Sequence, residues 1–216
     1  MTSTSLRRHK ATGLVVLLAG LVATGVGYAA VTGTAEAAPT TASAAVIDQG
    51  KQLYLEGCSS CHGLAAQGTS QGPGLIGVGA AAVDFQVSTG RMPLAQPAQQ
   101  APRKTPIYTE EQVAALAAFV ATLGPGPAIP TASDVDTTDA DLATGGVLFR
   151  TNCAQCHNFA GRGGALSDGK YAPSLMEATP REIWEAMATG PQNMPNFPNS
   201  TLDQKSKQDI IKYIDH

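Results

Sequence analysis

The sequence predicts an all-α, loop-rich chain in which two tandem copies of one small domain follow an N-terminal transmembrane helix. Three observations predict this. The string Cys-x-x-Cys-His occurs twice, at Cys58–His62 and at Cys153–His157. The segments around the two occurrences carry the same landmarks in the same order. No stretch shows the alternation of a half-buried strand, whereas an uncharged apolar run lies near the N-terminus.

The N-terminal element comes first. Arg7, Arg8, His9 and Lys10 precede an apolar run from Ala11 to Val31 that contains no charge. As a helix it would span roughly 30 Å, the thickness of a bilayer core. The basic flank before it predicts a cytoplasmic N-terminus at residues 1–10 and export of everything after the 11–31 span. The string Ala35-Glu36-Ala37 resembles a signal-peptidase site, so the run reads as an anchor or a cleaved signal. Its length favours the anchor. Residues 32–45, small and polar, read as a tether.

The duplication sets the rest. "GKQLYLEGCSSCHG" aligns with "TGGVLFRTNCAQCHN", "GPGLIGVG" with "APSLMEAT", "VSTGRMP" with "MATGPQNMP", and "YTEEQVAALAAFVATLG" with "LDQKSKQDIIKYIDH". This predicts one domain over 46–124 and its copy over 142–216. Residues 125–141, with Pro125, Pro127 and Pro130, four aspartates and no basic residue, read as an acidic linker. Within each copy we expect a first helix, the cysteine motif, a Gly-rich loop, a middle helix ending at Thr-Gly, a Met-Pro loop and a closing amphipathic helix. Thr109 and Gln112 form a candidate capping box for the closing helix of the first copy, and Gly124 is its stop signal. Gly50 and Tyr54 lie on one helical face, as do Gly145 and Phe149. Each glycine predicts a close helix crossing, with Phe119 and Tyr213 as the partners.

The motifs carry the chemistry. Cys-x-x-Cys-His is the attachment motif of c-type haem. Two thiols spaced by two residues add to the two vinyl groups of the porphyrin, and the adjacent histidine faces the iron. Cys58, Cys61 and His62 are then one station, and Cys153, Cys156 and His157 the other, which predicts two covalently bound haems c. A zinc ribbon would need the two pairs close together, yet they lie about ninety residues apart. A thioredoxin-like motif would sit near a βαβ pattern, which is absent. A disulfide framework leaves both histidines unexplained.

A sixth iron ligand is expected from the Met-Pro loops. Met92 is the only methionine of the first copy. In the second copy only Met194 aligns with it, while Met187 falls inside the middle helix as a core residue and Met176 as packing beside the porphyrin edge. Met–His ligation raises the reduction potential, which suits an electron acceptor. Pro73 and Pro173 mark a stretch whose carbonyl is a candidate acceptor for the imidazole N–H; a plain turn proline is the other reading.

With 14 basic and 17 acidic residues the net charge is −3, so no basic field exists to hold nucleic acid. These landmarks together resemble class I cytochromes c. The strings "GPGLIGVGAAAVDFQVSTGRMP", "QAPRK", "LFRTNCAQCHNF", "GGALSDGKYAPSL" and "TGPQNMPNF" are similar to the dihaem cytochrome c subunit of the actinobacterial menaquinol–cytochrome c reductase, a cytochrome bc complex. The resemblance covers the chain from about Gly50 onward.

It implies cytochrome b and Rieske iron–sulfur subunits as partners, and a haem–copper terminal oxidase as the acceptor. It also implies a place in the plasma membrane with both haem domains on the extracytoplasmic side. It assigns His62, Met92, His157 and Met194 as axial ligands by motif position. This makes the chain an electron-transfer subunit of a translocating reductase, without substrate turnover of its own. The resemblance further implies a C-terminal transmembrane helix beyond His216, so a fragment of a longer chain is expected. The alternative functions are an exported dihaem dehydrogenase or peroxidase, marked by an open iron position, and a zinc-stapled interaction module.

Overall fold

The computed structural model describes the backbone of residues 3–32 and 42–216, and the side chains of 12–26 and 42–216. Two units separate, Met1–Glu36 and Ala37–His216. The first carries helix α1, Ser3–Thr32. Among the described residues no helix is long and apolar enough to cross a membrane. The expected 11–31 span lies on α1, but its ends at 11 and 27–31 fall outside the residues whose side chains are described. The tether and the Ala35–Ala37 string fall mainly within 33–41, also outside them.

The second unit holds both copies. The first copy comprises α2 (Ala44–Gly57), α3 (Ser59–His62), α4 (Gly79–Ser88) and α5 (Glu110–Ala121). The second comprises α6 (Leu142–Asn152), α7 (Ala154–His157), α8 (Pro180–Thr189) and α9 (Gln204–Asp215). The order of elements repeats, as the sequence predicts.

Local chemistry explains the helix boundaries. Ser43, Thr109, Asp141, Thr179 and Asp203 each cap a helix by accepting a backbone N–H. The Thr109–Gln112 capping box is present, and a second joins Thr179 to Glu182, with Pro180 opening α8. Helix α5 ends at Ala121, slightly before the Gly124 expected to stop it.

The helix crossings follow from two glycines. A Cβ on Gly50 would overlap the Ala115 carbonyl, and a Cβ on Gly145 would overlap the Asp209 carbonyl. The backbones of α2 and α5, and of α6 and α9, therefore touch where no side chain intervenes. The aromatic partners close each crossing. The Tyr54 and Phe119 rings lie 5.4 Å apart at 47°, and those of Phe149 and Tyr213 lie 5.3 Å apart at 42°.

Each copy has its own core. Tyr54, Val87, Val113 and Leu116 form the first; Phe149, Ile183, Trp184, Met187, Ile210 and Ile211 form the second.

Two features were not legible in the pattern. The second copy contains a small antiparallel ladder, β1 (Gly164–Ala165) against β2 (Tyr171–Ala172), closed by a turn in which Asp168 and Gly169 have positive φ. Two-residue strands are too short to show alternation. The 125–141 segment is also bound to both copies. Pro127 O accepts from Ala81 N at 3.1 Å, while Ser133 O accepts from Gln208 Nε2 at 2.9 Å and Thr137 O from Lys212 Nζ at 3.3 Å.

Candidate functional site

The two cysteine motifs occupy equivalent turns. Cys58 and Cys153 end the first helix of each copy and begin the short helices α3 and α7. All four cysteines are free and half-buried. Burial, reinforced by the neighbouring cysteine, raises the pKa of Cys58 and pushes that of Cys153 up to about 11. Among the described residues no group of three or more His, Cys, Asp and Glu is placed to hold a metal ion.

The loop after each motif turns back on itself by matching bonds. His62 O accepts from Gly68 N at 2.8 Å and Ala66 O from Leu75 N at 2.8 Å. In the second copy His157 O accepts from Gly163 N at 2.9 Å and Gly161 O from Leu175 N at 2.8 Å. This fold-back delivers a proline carbonyl to each imidazole. His62 Nδ1 donates to Pro73 O at 2.7 Å, and His157 Nδ1 donates to Pro173 O at 2.9 Å. The proton is placed on Nδ1 because a carbonyl only accepts. Each Nε2 is therefore left as a lone-pair donor, oriented by its partner carbonyl. Burial lowers the His157 pKa against the opposing effect of the Pro173 carbonyl, which favours the neutral ring a metal needs.

In the second copy Cys153, Cys156, His157 and Met194 all line one cavity of about 600 Å³. Its size is that of a small-molecule or cofactor site, roughly 300–1,000 Å³. Ile183, Met187, Phe197 and Ile210 contribute apolar wall. Met194 is half-buried, and its loop is stapled by Phe197 N donating to Met187 O at 2.6 Å. Met187 is 2% exposed and belongs to the core, as its helical position predicts. Met176 lines the same cavity with 49% exposure. In the first copy Cys58 and Met92 pack against one shared core cluster with Tyr54, Leu116 and Val87. The Met92–Pro93 peptide is cis.

The sequence did not reveal the wall of the second cavity that the first copy supplies. Arg91, Gln100, Ala101 and Arg103 all line it. Gln100 exchanges two hydrogen bonds with the Tyr171 backbone, at 2.6 and 3.1 Å. Gln192, two residues before Met194, exchanges two with the Ala101 backbone, at 3.2 and 3.1 Å. Arg103 grips Glu182 with both guanidinium nitrogens, at 3.1 and 2.5 Å. Each pair joins residues about 70–90 positions apart, and no motif or periodicity links such positions.

A porphyrin fits this donor set. The cavity offers paired thiols, an oriented neutral imidazole, a thioether on the Met loop and a largely apolar wall. Its wall also carries Arg91, Arg103, Arg162 and Lys170 against Glu177 and Glu182, a surplus of two positive charges. A porphyrin bearing two carboxylates would balance it.

Residues 47–124 match the family described as "Cytochrome c", and residues 140–214 match "Cytochrome C oxidase, cbb3-type, subunit III". The chain is 48% identical over 219 residues to the "Cytochrome bc1 complex cytochrome c subunit" of Mycobacterium bovis, covering 99% of this chain and 78% of that protein. It is 48% identical over 223 residues to the protein of the same name from Corynebacterium diphtheriae, covering 96% and 79%. The Mycobacterium leprae counterpart is 47% identical over 209 residues, covering 94% and 72%. Among solved structures, a chain of the Kuenenia stuttgartiensis reducing HAO-like protein complex overlays with a TM-score of 0.39 at 16% identity, covering 82% of this chain and 97% of that one.

Proposed function

Because the chain belongs to the family of cytochrome bc1 complex cytochrome c subunits, with a cytochrome c domain in each half, we propose that it is a dihaem relay between a menaquinol-oxidising bc complex and a terminal oxidase. Electrons enter from the Rieske iron–sulfur subunit and leave to a haem–copper oxidase. Cytochrome b completes the complex. The apolar N-terminal run tethers the chain to the plasma membrane, with both haem domains on the extracytoplasmic side.

The observation that carries this reading is the repeated His–Pro carbonyl bond. The same Nδ1–carbonyl geometry recurs beside the same Cys pair in both copies, so each copy presents one oriented Nε2. In this reading Cys58 and Cys61 anchor one haem, and Cys153 and Cys156 the other, through thioether bonds. His62 and His157 would hold the iron through an imidazole nitrogen, and Met92 and Met194 through a thioether sulfur. Haem bound at each station supplies a one-electron couple.

The polypeptide does the remaining work. Pro73 and Pro173 hold the imidazole orientation and basicity. The Ile183, Phe197 and Ile210 wall excludes water, which lowers the local dielectric and tunes the potential. Two ligands per iron leave no position for a substrate, so the chain transfers electrons within a translocating reductase and turns over nothing alone.

Redox-titrated optical spectroscopy of the full-length holoprotein tests the assignment. Met92→His and Met194→His should each displace one distinct wave to lower potential. A titration unchanged by either substitution removes that methionine as a ligand. Denatured protein that carries no covalent porphyrin removes the whole reading.

A further inference from the structure

Arg91 and Met92 are adjacent, yet they serve different copies. Met92 packs on the core of the first copy, whereas Arg91 lines the cavity of the second. The Arg91 side chain lies with its guanidinium carbon 4.7 Å from the centroid of the Phe85 ring, and the residue is only 7% exposed. Its Nη1 is buried and has no hydrogen-bond partner.

A guanidinium cannot shed its proton to escape burial. A buried cation without an anion is costly, so a charge that stays buried generally has a counter-ion. Two carboxylates stand on this wall: Glu177 is exposed, and Glu182, whose charge Arg91 feels, is already engaged. Glu182 already accepts two bonds from Arg103 and one from its own capping box through Thr179 N at 3.0 Å. Asp84 and Glu185 are engaged by Arg181 at 2.7 and 3.3 Å. The surface that presents Arg91 is also built, not incidental. The reciprocal bonds of Gln100 with Tyr171 and of Gln192 with Ala101 hold the first copy against the mouth of the second cavity.

We propose that Arg91 of the first domain binds a porphyrin carboxylate of the haem held in the second domain's cavity, as a fork of charge-assisted hydrogen bonds across the domain boundary. This rests on the haem assignment above and adds a cofactor-binding residue to it. It gives the loop of the first distal ligand a direct contact with the second cofactor. The two sites are then coupled through two consecutive residues. A cation beside the porphyrin carboxylate offsets that negative charge, disfavours the more positive oxidised iron, and so raises the potential of the second haem.

The test is a spectroelectrochemical titration of the full-length dihaem protein, with Met194→His marking which wave belongs to the second domain. Arg91→Gln should lower the second-domain wave by more than the first, and Arg91→Lys should recover most of that loss. The propionate bending bands of the resonance Raman spectrum should move in both variants, because Lys keeps the charge and loses the fork. A second-domain wave unmoved in Arg91→Gln, or no recovery in Arg91→Lys, overturns the proposal. If Arg91→Gln does not mature, Arg91→Lys carries the test alone: displaced bending bands support the contact, and wild-type bands overturn it. A wild-type chain without covalent haem would instead overturn the haem assignment and this contact with it, so the two failures are distinguishable.

Discussion

Arg181 of the second domain holds Asp84 of the first at 2.7 Å, directly beside Glu185, which has no exposed surface. Arg181 also reaches Glu185 at 3.3 Å, so one cation faces two buried carboxyl groups. Glu185 Oε2 finds no donor in this arrangement. A proton on Glu185, facing the Asp84 carboxylate, relieves this. Burial, together with the neighbouring Asp84, accordingly pushes the Glu185 pKa up to about 9.

That shift gives stability a defined pH dependence. Between the ordinary carboxylate range and about 9, folded Glu185 holds a proton that the unfolded chain has released. The folded state thus binds more protons, and stability falls as pH rises through this window. Thermal unfolding of the holoprotein should show a falling midpoint from pH 6 to pH 9, and Glu185→Gln should flatten it. An equal slope in wild type and variant would exclude a proton on folded Glu185.

The helix crossings admit no side chain at two positions. Gly50→Ala must move the Ala115 backbone, and Gly145→Ala the Asp209 backbone. Each substitution should cost roughly 1–3 kcal/mol or more, the range of overpacked cores. Denaturant unfolding measures the loss, and Gly13→Ala, which meets nothing within 4 Å, is the neutral comparison.

Met187 and Met194 line the same cavity but should respond oppositely to truncation. Met187→Ala empties a core position and should cost about 2–5 kcal/mol while keeping the optical signature of Met-ligated iron. Met194→Ala should abolish that signature with a smaller loss of stability. Absorbance and chemical unfolding on the same samples separate the two roles.

The two copies differ at a hydrogen bond beside the motif histidine. Tyr54 Oη donates to Gly63 O at 2.6 Å, within the buried core, while Phe149 has no hydroxyl to do so. Tyr54→Phe should cost about 1 kcal/mol and leave a buried carbonyl one donor short. Phe149→Tyr should bring no matching gain. Unfolding midpoints of the two variants check both.

Much of the site was legible because it is local. Two thiols and an imidazole within five residues define a chemistry that depends on spacing along the chain. Duplication singled out Met194 among three methionines, and it lines one cavity with Cys153, Cys156 and His157; Gly50 with Tyr54 announced a helix crossing whose partner, Phe119, sits where expected. The proline carbonyls were legible too, since a short loop anchored at the motif has few places to return. The β1–β2 ladder escaped because its strands are shorter than the period that would reveal them.

The sequence alone thus determined what each half of this protein is: a helical unit with one Cys-x-x-Cys-His station, an oriented histidine and a methionine loop. Tertiary structure alone decided how the halves share their sites. Arg91 faces the cavity of the other copy, Ala101 is paired with Gln192, and Asp84 is buried against Arg181 and Glu185. The physical reason is range. Ligand spacing is fixed by covalent geometry over a few residues, whereas these contacts arise only when two finished surfaces meet. Any arginine or glutamine carries the same letter whether it ends in water or against a neighbour's backbone.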